Sequence, residues 1–196
     1  MLGGSFNPAH EGHRHVSLLA MELLALDQVW WLVSPQNPLK PVRGMAGYAE
    51  RLEWAADVAR HPRIRVSQVE RMFNTRYTID TLHALLTAQR RPRFVWIMGA
   101  DNLLQLSTWH RWSEIFATVP IAVFDRPTYS LRALQGKAAR RFRGSRIHPR
   151  LARHLTGMDP PAWVFLDHAR DWRSATEIRR QQERSKQSDY ALGDKL

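Results

Sequence analysis

"GGSFNPAHEGHRHVSLLAMELLALDQVWWLVS", residues 3–34, runs from two adjacent glycines through an Asn-Pro step into a helical pattern and then an apolar run. A helix is expected over residues 10–26, because Val16, Leu19, Leu23 and Leu26 recur at three- and four-residue spacing. "VWWLVS" (29–34) predicts a buried strand. A glycine-rich turn, a helix and a buried strand in that order form the repeating unit of a parallel sheet with crossover helices.

The rest of the chain repeats the unit. Helices are expected over 48–60 and 77–89, with strands over 63–69 ("RIRVSQV") and 94–99 ("FVWIMG"). Residues 102–116 predict one or two short helices, 120–126 a strand, and 162–167 ("AWVFLD") the last strand. Between them, 131–156 is basic and poorly periodic, so irregular or short helical structure is expected. A final helix over 174–184 is announced by a capping box, Ser174 with Glu177. "PQNPLKPVRG" (35–44) is a loop by its prolines and glycine. The pattern predicts an α/β, Rossmann-like doubly wound parallel sheet with helices on both faces, in one domain over 1–185, followed by a polar tail over 186–196. One strand is short of sequence: only Met1 and Leu2 precede Gly3. A truncated first strand is therefore expected, from a misplaced start or from a chain that lacks its central strand.

In 196 residues, 44% hydrophobic and 24% charged composition excludes a disordered chain and allows one ordinary core. No run of about 18 apolar residues suggests a membrane span, and no signal peptide is expected. The absence of cysteine excludes disulfides and thiolate metal sites and fits a cytoplasmic location. The net charge of +11, densest in 137–154, suits nucleic acid or phosphorylated small ligands. Nucleic acid is the lesser of the two readings, because charge alone does not specify function.

The opening motif carries more chemistry. Gly3 and Gly4 allow backbone N–H groups to come close to a ligand. His10 starts the helix, His13 lies one turn further on the same face, and Gly12 leaves room between them. Two imidazoles at a helix N-terminus would clamp a phosphate. A surface coincidence is the bland alternative, and a zinc site with His15 is a third, although His15 lies off that face and no carboxylate pair completes a site. The motif is no Walker loop, since the Gly-Lys-Ser/Thr ending is absent.

His10-Glu11-Gly12-His13 matches the HxGH signature of a nucleotidyltransferase family. With "NPLKP" (37–41), "YTIDTL" (77–82), "GADNLLQLSTWHRW" (99–112) and "SATEIRR" (174–180) following in order, the chain resembles the bacterial nicotinate-mononucleotide adenylyltransferases of that family over nearly its whole length. The resemblance implies adenylyl transfer from ATP to nicotinate mononucleotide, giving deamido-NAD and pyrophosphate, with Mg²⁺ accompanying the triphosphate. It gives His10, His13 and Arg179 catalytic roles. Gly4, Ser5, Phe6, Lys40, Asp101, Ser174 and Thr176 would join them around ATP. Asn7, Thr78 and Trp109 would take nicotinate mononucleotide, with the Trp109 indole stacked on the pyridine ring and Thr78 near its carboxylate. Some of these residues have ordinary alternatives: Lys40 as a solvated loop lysine, Asp101 as a helix cap, Trp112 as packing beside Trp109. Ala175 stands where the family's Ser-Ser-Thr-x-Ile-Arg signature has its second serine, and Arg76 where a small residue or proline is more usual. A sister enzyme using nicotinamide mononucleotide or another phosphate-bearing acceptor, and a non-catalytic nucleic-acid-binding protein, are the rival readings.

Overall fold

The computed structural model describes residues 1–35, 44–125 and 129–167. Its strands are β1 (Leu2–Gly4), β2 (Val29–Val33), β3 (Ile64–Ser67), β4 (Trp96–Gly99), β5 (Ile121–Phe124), β6 (Arg146–Ile147) and β7 (Trp163–Leu166). The helices are α1 (Glu11–Leu23), α2 (Tyr48–Ala59), α3 (Val69–Met72), α4 (Thr78–Ala88), α5 (Ala100–Gln105), α6 (Trp112–Thr118), α7 (Ser130–Leu134) and α8 (Lys137–Arg141). Short 3₁₀ turns cover Leu106–Thr108, Arg143–Ser145 and Pro149–Gly157. All of the strands form one sheet in the order β3-β2-β1-β4-β5-β7-β6, and every pair is parallel.

Burial follows the two-residue period of the strands and divides the core into two layers. Trp31, Val33, Ile97, Ala122, Phe124, Val164 and Leu166 face one layer, with α1 and α2 supplying Ala20, Met21, Ala55 and Ala59. Leu32, Trp96, Met98, Ile121, Val123, Trp163 and Phe165 face the other, against Leu82 of α4, Leu103 of α5 and Phe116 of α6. Strands buried on both sides explain why "VWWLVS" and "FVWIMG" read as continuous apolar runs without alternation. No helix among the described residues is long and apolar enough to cross a membrane.

A first strand is present at the centre of the sheet, so the fold does not lack its central strand. β1 has three residues, pairs with β2 over its full length, and meets β4 at Leu2 and Ile97. The ladder continues through Met1, whose carbonyl accepts from the Ile97 N–H and whose nitrogen donates to the Val95 carbonyl. A strand held on both sides is secure at a length that leaves no periodic signal in sequence. Two other elements differ from expectation. The predicted strand 63–69 stops at Ser67 and turns into α3, and the basic stretch 131–156 contains β6, which pairs Arg146 with Trp163 at the sheet edge.

Gly3 is required by close approach. A Cβ there would stand 2.4 Å from Cη2 and 2.8 Å from Cζ2 of the buried Trp96 indole. Gly3→Ala is expected to destabilise the fold by about 2 kcal/mol, because a rigid ring packed in the core has little room to move. Urea unfolding at neutral pH checks this, and an unchanged midpoint would refute it.

Candidate active site

The strand order reverses between β1 and β4: β2 and β3 extend to one side of β1, and β5, β7 and β6 to the other. In sheets of this kind, ligands bind beyond the carboxyl ends of the strands at the reversal. The residues that follow β1 there are Ser5–Ala9 and then α1, and those that follow β4 are Ala100 and Asp101 of α5. Six of the residues picked out in sequence, Ser5, Phe6, Asn7, His10, His13 and Asp101, thus follow the two strands that meet at the reversal.

The turn out of β1 is tightly built. Phe6 has φ of 47°, a left-handed conformation that costs a non-glycine residue about 1 kcal/mol. Its buried ring offsets that cost by stacking on Trp31, with centroids 5.0 Å apart and planes at 18°. Asn7 is buried, and both ends of its amide are engaged: Nδ2 donates to the Gly44 carbonyl at 3.2 Å and Oδ1 accepts from the Ala46 N–H at 3.0 Å. The structure thus puts Asn7 to work fastening the segment ahead of α2. At Gly4 a Cβ would only touch the Phe6 ring at 3.4 Å, so the close-approach requirement belongs to Gly3.

The two histidines cap α1 reciprocally. His10 is the N-cap in extended conformation, and its Nδ1 accepts from the Gly12 N–H at 3.2 Å. The Nδ1 of His13 accepts from the backbone N–H of His10, also at 3.2 Å. A ring nitrogen that accepts a hydrogen bond carries no proton, so in each neutral ring the proton lies on Nε2. The ring centroids are 3.9 Å apart. Behind them, His13 rests on Phe6 with centroids 4.8 Å apart, and Trp31 Nε1 donates to Ser17 Oγ, which donates to the His13 carbonyl. Two oriented Nε2–H donors at a helix N-terminus are an arrangement suited to phosphate oxygens.

The Asp101 carboxylate is on the second residue of α5, whose N-cap is Gly99 with no side-chain cap bond. Asp101 thus lies in the first turn of the helix and is not its N-cap residue. Thr78 is the first residue of α4, where Tyr77 provides no side-chain cap either. Trp109 ends the 3₁₀ turn Leu106–Thr108 and is half-buried against the second core layer. Their sequence neighbours Tyr77 and His110 are in contact, with ring centroids 4.3 Å apart. Arg111, at φ of 49°, holds this corner by bonding Glu114 at 2.8 and 2.5 Å and Asp80 at 3.4 Å. Trp112 packs edge-on to Phe142 under the Arg141 guanidinium, which agrees with its packing role. Lys40, Ser174, Thr176 and Arg179 lie outside the described residues. Among the described residues, no three of His, Cys, Asp and Glu gather as a metal cage, so His15 completes no zinc site there.

A buried polar cluster behind the turn escaped the sequence reading. Arg51 is 1% exposed and Glu70 7%, with the Tyr48 ring 5.4 Å from the Arg51 guanidinium. Burial pushes the Glu70 carboxyl up to about 7, against the opposing pull of the Ser34 hydroxyl and the Arg51 charge. Burial likewise raises the Tyr48 phenol, helped by Glu70, and lowers the Arg51 guanidinium. One sign was available: Arg51, Ala55 and Ala59 recur every four residues, a charge on an otherwise apolar stripe of α2.

A cytidylyltransferase-like family model matches residues 1–181. A protein of Parvibaculum lavamentivorans named "Probable nicotinate-nucleotide adenylyltransferase" is 52% identical over 179 residues, covering 91% of this chain and 89% of its own. A protein of the same name from Brucella suis is 45% identical over 182 residues, covering 93% and 94%. Among solved structures, the nicotinic acid mononucleotide adenylyltransferase of Plasmodium falciparum, complexed with NaAD, superposes with a TM-score of 0.65 over 91% of this chain and 80% of its own. At 14% identity that likeness is one of fold.

Proposed function

This chain belongs to the cytidylyltransferase-like family, and we propose that it transfers the adenylyl group of ATP to nicotinate mononucleotide, making deamido-NAD and pyrophosphate. The observation that carries the reading is the reciprocal histidine cap at the strand-order reversal, which sets both imidazoles at the N-terminus of α1 through their Nδ1 atoms.

In the proposed step, a phosphate oxygen of the mononucleotide attacks the α-phosphorus of ATP. A new P–O bond forms, the bond from the α-phosphorus to the α–β bridging oxygen breaks, and pyrophosphate leaves with the electron pair. No protein nucleophile takes part, so catalysis reduces to holding two anions in line and stabilising charge on the oxygens. His10 and His13 donate from Nε2 to the α-phosphoryl and to the departing pyrophosphate. Backbone groups at Gly4, Ser5 and Phe6 line the junction of the two substrates. Asp101 meets the adenosine ribose, and Lys40, Ser174, Thr176 and Arg179 add charge and donors around the triphosphate. A divalent ion accompanying ATP, Mg²⁺ in this reading, would lower the repulsion between the two phosphate-bearing substrates, and the described residues contribute no His, Asp and Glu cage of their own to it.

The acceptor is read from the other corner. Trp109 offers a flat face for the pyridine ring. Thr78 offers a hydroxyl at the N-terminus of α4, whose first N–H groups have no side-chain cap and attract an anion such as the nicotinate carboxylate. Asn7 supports the site by fixing the segment ahead of α2. Pyrophosphate release with Mg-ATP, comparing nicotinate and nicotinamide mononucleotides, tests the reading. Release at least about tenfold faster with the nicotinate form is expected, from a preference of some 1.4 kcal/mol for the charged acceptor. Equal rates would remove the acid preference, and no release with either would remove the adenylyl-transfer reading.

A further inference from the structure

Arg51 donates to four backbone carbonyls at once. Nη1 reaches Ser5 and Ser34 at 2.7 Å each, Nη2 reaches Pro35 at 2.7 Å, and Nε reaches Ala46 at 3.1 Å. These carbonyls belong to the exit of β1, the exit of β2 and the approach to α2. At this point the sheet ladder has run out, its last rung being the Ser34 N–H on the Gly4 carbonyl. The guanidinium therefore takes over where strand pairing stops. Its own place is set by the Tyr48 ring at 5.4 Å, and the Ser34 hydroxyl passes a bond on to Glu70. Asn7 fastens the same segment from the other side, through Gly44 and Ala46.

We infer that Arg51 is a positioning residue that sets the turn from Ser5 to His10, and through it the His10–His13 pair, without touching substrate. This rests on the adenylyl-transfer reading of the same site. Ser5 immediately precedes Phe6, whose ring carries His13, so the Ser5 carbonyl fixes the direction in which the turn leaves the sheet. Only arginine suits the task. Its planar fork spreads donors over several carbonyls, whereas a lysine ammonium is a compact point charge on a flexible stem.

The test compares the parent chain with Arg51→Lys and Arg51→Met. The methionine variant removes the donors without burying an unpaired ammonium, and the Tm of each variant establishes that it is folded. In the folded variants, kcat is expected to fall about tenfold to a hundredfold, with KM for Mg-ATP and nicotinate mononucleotide within about threefold of the parent. Lysine should not rescue. Two-bond ¹H–¹⁵N spectra of the imidazoles give a readout independent of turnover: a single Nε2–H tautomer for His10 and His13 in the parent, and a mixture in the variants. A purely structural role would lower Tm and leave both readouts as in the parent, and that result overturns the inference. If the parent itself releases no pyrophosphate, the adenylyl-transfer reading fails, and the imidazole spectra alone decide whether Arg51 sets the pair.

Discussion

Replacing His13 by alanine is expected to lower turnover by two or more orders of magnitude, about 3 kcal/mol of transition-state stabilisation, in a protein that still folds. The ring contributes to the fold by accepting the His10 N–H at 3.2 Å and by resting on Phe6. Losing those contacts costs about 1 kcal/mol, roughly the worth of one intramolecular hydrogen bond, which one domain of this size tolerates. The Nε2–H donor is different in kind. It acts on charge that develops only as the α–β bridge breaks, so its removal should appear in kcat more than in KM. Initial rates of pyrophosphate release over a range of both substrates, with Tm recorded alongside, separate the two effects. Near-parent kcat in the folded variant would remove His13 from the chemistry and leave it as a helix cap.

Glu70→Gln is expected to stabilise the protein at pH 8 by about 3 kcal/mol, and to change it little near pH 4. The folded-state carboxyl titrates near 7 against an ordinary value of 4.5, chiefly because burial penalises the charged form. The native protein thus binds more protons than the unfolded chain across that interval, and its stability falls as pH rises from about 4.5 to 7. The separation between the two values corresponds to the stated 3 kcal/mol, and it is fully felt only above the folded value. Glutamine has the same shape, keeps an acceptor for the Ser34 hydroxyl and does not titrate, so the pH dependence should flatten. Urea midpoints of parent and variant at pH 4.5, 6 and 8 check this. An offset that does not change with pH would refute the assignment.

The two residues differ in how much of their role is visible without a structure. His13 is recognisable from spacing, because a helix brings residues three apart onto one face whatever surrounds it. The capping geometry then decides the tautomer, which spacing does not specify. Glu70 looks like an ordinary surface charge on a short helix, and Arg51 shows only as a charge on the apolar stripe of α2. They matter because β1, β2 and the approach to α2 converge on them, and the carbonyls Arg51 holds are as far as 46 positions away in sequence.

The same division runs through the fold. α1, β2, α4 and β4 were legible because a helix period or an apolar run is a local property of about ten residues. So was the sheet class, since strands alternating with helices leave only parallel pairing with both faces covered. By itself the sequence determined the alternation, the glycine-histidine turn and the ordered motifs. Tertiary structure decided the rest: that three residues suffice for β1, that β6 closes the sheet edge, and that Arg51 lies inside. Each of these depends on partners far along the chain, as Leu2 on Ile97 and Arg146 on Trp163, and hydrogen bonds and burial of that kind exist only once those segments have met.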